Sequence, residues 1–262
     1  MRARTKNNSA KGIASTFLAL GIGLLAFAMI FNQQIAAFIG LGLTFWGAVF
    51  LVTRTGTFVD GSLLDSSARS SYTTLDRMIT DLKYNGQSYY IPAYPQDVAL
   101  PDYLKNLKEP VTFISESFDG KPSLDELAQG KFISTRSHGL FITSPGAGIL
   151  TQIERQLQLD LSKINLTELT EILPKILTEN LSLAKNADLV LTSNGAHFKA
   201  SSIVYNSLYD PESRPKSVSL LGCPVVSAVA SALAKTSGKT VIIQEQIPSA
   251  GNSVYASYVF VR

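Results

Sequence analysis

The sequence predicts an α+β protein: an N-terminal transmembrane helical hairpin, then a cytoplasmic mixed α/β body with antiparallel hairpins and helices packed on one sheet face. Three observations predict it. Two apolar runs, 12–31 and 35–53, are each long enough to cross a bilayer. Residues 87–144 carry short β-like runs broken by turn residues and punctuated by prolines at 92, 95, 101 and 110. From 161 onward, helical stripes and alternating segments take turns, which is the pattern of an α+β layer.

The first run has twenty residues without a charge, and at 1.5 Å per residue it spans roughly 30 Å, the thickness of the hydrocarbon core. Only Asn32-Gln33-Gln34 separates it from the second, so the connection is a tight turn and both ends face one side. Arg2, Arg4, Lys6 and Lys11 precede the first span and Arg54 follows the second, while the turn carries no charge. The positive-inside rule then predicts a two-span protein of the cell membrane with both termini and the body in the cytoplasm. Ala26-Phe27-Ala28 resembles a signal-peptide cleavage site, but a second span follows at once. Small residues at Ser15, Ala19 and Gly23, and at Ala36, Gly40, Thr44 and Ala48, draw a ridge along each span. Such ridges pack helices within one hairpin or between two copies. Neither span holds an ionisable residue, so the hairpin reads as an anchor and not as an ion path.

Charge and composition narrow the function classes. Residues 1–60 hold five cations and one acid, a balance of +4 against +3 for the whole chain, which leaves −1 for the rest. The basic character therefore belongs to the anchor flanks and points to no nucleic-acid surface. A single cysteine, Cys223, excludes an intramolecular disulfide framework, and two histidines, His138 and His197, argue against a Cys/His zinc cluster. No cofactor, metal ligand or catalytic residue is expected. The expected partners are the lipid bilayer, a second copy through the membrane helices, and a small molecule of unknown identity.

Five segments follow: a basic N-terminus at 1–11, the hairpin at 12–53, a juxtamembrane linker and helix at 54–85, a strand-rich part at 86–160, and a helix-hairpin-helix-hairpin part at 161–262. Within 62–84, Leu64, Tyr72, Leu75, Ile79 and Leu82 recur at helical spacing. Strands are expected at 88–91, 111–115, 131–135 and 140–143, and a capping box from Ser123 to Glu126 opens a short helix. Tyr84, Tyr89, Tyr90 and Tyr94 either line a ligand groove or border a sheet. The run 141–150 reads as strand, glycine turn and helix start, the order in which a phosphate-cradling loop occurs. It matches neither the dinucleotide fingerprint nor the Walker pattern, and a plain turn capped by Ser144 with Pro145 in the first helical position also accounts for it. The ligand-binding candidates are thus Ser144, Gly146, Gly148, Tyr89 and Tyr90.

Asn165 opens a further helix whose stripe, Leu169 to Leu181, is interrupted by Pro174; the helix kinks there or a new one begins. Segments 187–192 and 196–202 form a hairpin through Ser193-Asn194-Gly195. Cys223-Pro224 opens a helix closed by Gly238, and 240–247 with 253–261 make the last hairpin. Cys223, at a helix start, is either a thiol of lowered pKa or a small buried side chain.

The stretch Leu221-Gly222-Cys223-Pro224 through Ala230, Leu233, Gly238-Lys239 and Val241-Ile242-Ile243 resembles the tail of the 4-vinyl reductase-type small-molecule-binding domains. In those domains the closing hairpin commonly carries cysteines, whereas 249–262 here has none, which removes any metal-linked role. The layout of two spans, Tyr89-Tyr90-Ile91-Pro92, Ile142-Thr143-Ser144-Pro145-Gly146 and the Leu-rich helix around Pro174 is similar to uncharacterised archaeal membrane proteins. That resemblance implies an anchored domain without assigned chemistry.

Three readings follow: a membrane-anchored ligand-binding or docking module, a structural assembly component, and a membrane-tethered enzyme with a site near 144–148. A binding module is expected to hold a closed apolar pocket between sheet and helices. An enzyme is expected to converge polar groups of shifted pKa, and an assembly component to do neither and to pack its sheet face solid.

Overall fold

The computed structural model describes residues 3–52, 60–84, 86–95, 97–117, 120–249 and 252–261, with the side chains of 3–13, 52 and 103 outside that description. The linker at 56–59, Arg2 and Arg54, and the side chains of Arg4, Lys6 and Lys11 thus lie outside the described residues. The chain divides into two units, Met1–Val59 and Asp60–Arg262.

The first unit is a helical pair, α1 (Ala3–Phe31) and α2 (Gln34–Val52). The chain reverses at Asn32, which takes the left-handed conformation at φ 50°. The windows Ala14–Phe31 and Gln34–Leu51 are long and apolar enough to cross a membrane. Large apolar side chains such as Met29, Phe38 and Trp46 point outward, as lipid-facing residues do and as water-facing ones rarely do in such density. The seam departs from the expected ridges. Gly40 and Thr44 do face α1, but Ser15, Ala19, Gly23 and Ala48 are exposed. On α1 the buried small residues are Ala14, Gly21 and Ala28, and on α2 Gly40 and Gly47, all at seven-residue steps. Seven residues are nearly two turns, so this spacing stays on one line, whereas a four-residue ridge drifts around the helix. A methyl on Gly21 would lie 2.6 Å from Thr44 N, and one on Gly47 2.8 Å from Leu18 N.

The second unit is built on one antiparallel sheet. Its strands are β1 (Ser88–Ile91), β2 (Val111–Ser115), β3 (Ile133–Ser134), β4 (Gly139–Thr143), β5 (Asn186–Thr192), β6 (Gly195–Ser201), β7 (Thr240–Ser249) and β8 (Ser253–Val261). They run in the order β3-β4-β2-β1-β7-β8-β6-β5. The β1–β7 pairing, Tyr89 with Ile242 and Tyr90 with Val241, joins the strand-rich part to the C-terminal part in a single sheet. The helices are α3 (Gly61–Leu82), α4 (Leu124–Ala128), α5 (Ala147–Leu157), α6 (Leu166–Lys175), α7 (Lys216–Leu221) and α8 (Pro224–Ser237).

Helix α8 is buried along all its length from Pro224 to Lys235, against β1 and β7 and beneath α5 and α6. It carries Val, Ala, Leu and Ser on every side, and a helix apolar all round is an interior one. The stretch Lys216–Ser237 is apolar enough to cross a membrane, yet it is two helices, broken at Gly222 and enclosed by the rest of the unit. The main core, including Tyr90, Phe198, Leu173, Leu233 and Tyr258, fills the space between sheet and helices.

Helices do not keep to one face. Tyr89, Ile91, Val111, Phe113 and Phe141 form a second apolar cluster with Leu127 of α4 and Leu107 of the 3-10 turn Asp102–Lys108. The cause is in the strands: β1, β2 and β4 are buried at nearly every position, so both faces need a cover.

Four local expectations change. Ser123 precedes α4 but makes no capping bond; Glu126 turns to the β3–β4 turn instead, accepting from Ser134 Oγ, Thr135 Oγ1, Lys131 Nζ and the Arg136 amide. The Ser134 hydroxyl, with its co-donors, holds the Glu126 carboxyl down at about 2. No helix opens at Pro174; α6 continues through it and loosens into a π-helical turn at Ile176–Asn180. Ser144 does not cap α5, and Gly146 occupies the position before Ala147. In the β5–β6 hairpin Thr192 pairs with Gly195, so the turn is Ser193-Asn194 and the glycine is a strand residue. A methyl there would lie 1.8 Å from the Tyr258 carbonyl oxygen, which only glycine tolerates.

Candidate functional site

The α7–α8 corner fixes the position of everything around it. A helix end leaves its last carbonyls without intrahelical partners, and here Leu221, Gly222 and Cys223 at that end are buried. Side-chain hydroxyls supply the donors: Ser88 to the Leu220 carbonyl, Tyr90 to Leu221 and Tyr72 to Gly222. Tyr258 donates to Val226 O at 3.0 Å, and the Cys223 amide donates to Tyr209 Oη at 3.3 Å. Asp76 of α3 accepts from the Lys216 and Ser217 amides and so caps the start of α7. Burial pushes the Tyr72, Tyr90, Tyr209 and Tyr258 phenols above their ordinary range, and the Cys223 thiol likewise. Cys223 is thus a fully buried neutral thiol among tyrosines, not a thiolate at an open helix start.

Between α3 and the β4–α5 turn lies a groove of about 790 Å³, open along one side. One wall is α3, through Leu64, Ala68, Tyr72 and Leu75 with the hydroxyls of Ser71 and Thr74. The other is Ser144, Pro145, Gly148 and Ile149, and Leu183, Tyr205 and Pro224 form the floor. Helix α3 packs on the main core through Leu64, Ala68, Tyr72, Leu75, Ile79 and Leu82, and polar ties add to that stripe. Asp65 accepts from the Ser207 amide, and Arg69 donates to the Ser207 and Ser213 carbonyls. The groove contains no carboxylate, amine, guanidinium or imidazole among its described lining residues. Burial raises its Tyr205 phenol to about 12, so that hydroxyl stays protonated. The expected closed pocket between sheet and helices is therefore replaced by an open groove between helices.

Of the candidates read from the sequence, the structure brings together Ser144 and Gly148. Ser144 is nearly buried, and its hydroxyl shares a 2.7 Å hydrogen bond with Thr112 on β2. Gly148 faces open space. Gly146 lies between them in sequence but serves packing: its amide donates to Ser227 Oγ at 3.0 Å, and a methyl there would lie 2.1 Å from Ala228 N. The Ala147 amide closes on the Ser144 carbonyl, so two amides of the turn are already bonded within the protein. Tyr89 and Tyr90, adjacent on β1, point to opposite faces, one into each apolar cluster, and neither reaches the groove. Tyr84 joins the main core and Tyr94 is exposed, so the four tyrosines share no surface.

The α3 wall escaped sequence reasoning because its serines look like a solvated face. The usable signal was Leu64, Ala68 and Leu75, a second apolar line beside the Tyr72–Ile79 line that anchors the helix. A separate polar cluster also lay beyond the sequence: buried Lys235 pairs with Glu154 at 2.7 Å and Asp160 at 3.1 Å, which locks α8 to α5 and its following turn. Among the described residues no three Asp, Glu, His or Cys side chains converge as metal ligands.

No curated protein and no solved structure matches the chain. One family model matches residues 1–258, which takes in both the apolar helical pair and the α+β unit, and it is described as a domain of unknown function, DUF7982. The chain belongs to the DUF7982 family.

Proposed function

We propose that the protein is a membrane-anchored binding module that holds a small molecule in the groove between α3 and the β4–α5 turn, with its body and both termini in the cytoplasm. The observation that carries the reading is the groove itself. Its volume of about 790 Å³ falls within the range of small-molecule sites, and apolar walls with a few hydroxyls are their usual lining. The shape is built, not incidental: Gly146 seats the β4–α5 turn on α8, and Asp65, Arg69 and Asp76 fix α3 opposite. Among the described lining residues no carboxylate, amine or imidazole offers a general acid or base, which favours binding over catalysis. The cations flanking the two apolar runs support the cytoplasmic placement, and the resemblance of 221–243 to small-molecule-binding domains agrees with the binding role.

Native mass spectrometry of the full chain released from nanodiscs tests the reading. A small molecule retained by the wild type and lost in Gly148→Trp, which fills open space in the groove, is the expected result; a chain of unadorned mass from its own host refutes it. Thiol labelling of Ser9→Cys and Ser253→Cys variants in intact cells tests the placement, since Cys223 is buried and silent. Reaction with an impermeant reagent from outside would reverse it.

A further inference from the structure

Resting on that binding reading, we infer that the ligand is an uncharged membrane amphiphile, with a long apolar body and a hydroxyl or amide N–H at one end. The walls decide the charge. An ion entering the groove would leave water and meet no counter-charge among the described lining residues, a penalty that a neutral molecule avoids. The same absence sets the binding mode: with no salt bridge to make, affinity comes from apolar area, and the Leu64, Leu75, Ile149 and Leu183 side chains with the Tyr72 ring supply it.

The hydroxyls decide the polar end. Ser71 Oγ donates to the Ser67 carbonyl and Thr74 Oγ1 to the Ser70 carbonyl, both at 3.3 Å within α3. Each has one proton, and that proton is committed to the helix, so what these side chains present to the groove is oxygen lone pairs. The Tyr72 hydroxyl is likewise committed to the Gly222 carbonyl. The Gln152 amide and the protonated Tyr205 hydroxyl add donors, so the groove offers both and is complemented by a group that both donates and accepts, which selects an alcohol or amide over an ester, ketone or ether that only accepts. The source is the bilayer, because a long-chain alcohol or amide resides there and the same chain carries two helices apolar enough to cross it.

The test uses the full chain in phosphatidylcholine nanodiscs and three diazirine probes that share one alkyl chain: hexadecanol, hexadecanoate and hexadecyltrimethylammonium analogues. The hexadecanol probe is expected to crosslink within 64–78 and 143–152, saturably and at least about tenfold more than either ionic probe at equal loading. Ser71→Ala, which removes an exposed hydroxyl and no packing, is expected to lower that labelling about threefold. Gly148→Trp is expected to abolish it. Labelling of the groove by an ionic probe as strong as by the alcohol overturns the ligand class while the binding reading stands. A water-soluble hexanol probe that labels equally well at equal free concentration overturns the membrane source. Crosslinks from all probes that scatter without saturation overturn the groove as a binding site.

Discussion

Gly146 and Gly148 stand two residues apart in one turn, and the structure gives their substitution opposite signs. A methyl on Gly146 would sit 2.1 Å from Ala228 N, 2.4 Å from its Cα and 2.6 Å from the Ser227 carbonyl carbon. All three are backbone atoms of a buried helix, so no side chain can swing aside, and α5 would have to withdraw by roughly 1 Å to restore contact distances. Overpacking of this kind costs about 1–3 kcal/mol. Withdrawal also stretches the 3.0 Å bond from the Gly146 amide to Ser227 Oγ, worth about 1 kcal/mol more. The expected loss is about 2–4 kcal/mol, or a fall in Tm of about 4–16 °C for a unit of roughly 200 residues. Gly148, in the first turn of α5 with nothing within 4 Å of a methyl, should respond to alanine with a gain of about 0.5–1 kcal/mol and a slightly higher Tm. Differential scanning calorimetry of the full chain in nanodiscs measures both. A Gly146→Ala variant that melts at or above the wild type would show that the first glycine is not a packing residue, and a Gly148→Ala variant that falls with it would show that the second does not face open space.

Glu126, held down at about 2 by Ser134 and its co-donors, binds protons less readily folded than unfolded. Its contribution is therefore present above the ordinary carboxyl value of about 4.5 and lost as pH falls from there to about 2. The Tm difference between wild type and Glu126→Gln should be flat above about pH 5 and close over that window; a difference independent of pH down to about 2 contradicts the assignment. Tyr90→Phe leaves the buried Leu221 carbonyl without its donor and should cost about 1–3 kcal/mol in chemical denaturation; an unchanged midpoint would mean that another donor reaches it. Lys235→Met removes the cation from Glu154 and Asp160, which keep only the Leu161 and Ser162 donors, and should cost about 3 kcal/mol, with a partial recovery when Glu154→Leu is added; equal stability of the single variant would show the cluster to be inert.

The elements with a strong local cause were legible. The strands at 88–91, 111–115 and 253–261 fall where the alternating or apolar runs put them, and Pro224 and Gly238 bracket α8 as N1 proline and left-handed cap. The elements without one were not. Helix α7 has six residues and owes its start to Asp76, which lies 141 positions earlier than the Ser217 it bonds. The same holds for the candidates. Ser144 and Gly148 were visible as a turn, but whether Gly146 faces a ligand or a neighbouring helix depends on Ala228, which no local pattern names. Tyr89 and Tyr90 were adjacent in the chain, and strand geometry necessarily sends adjacent side chains to opposite faces.

By itself the sequence determined that two helices are apolar enough for a membrane, that the body is α+β, and where most strands and the buried helix begin and end. Those properties follow from hydrophobic length, period and the fixed dihedrals of Pro and Gly, all of which act within a few residues. The tertiary structure alone decided the seven-residue seam of the helical pair, the second apolar cluster under α4, the hydroxyl ring around the α7–α8 corner and the groove along α3. Each of these is a meeting of surfaces from distant segments, set by which side chains can share a space.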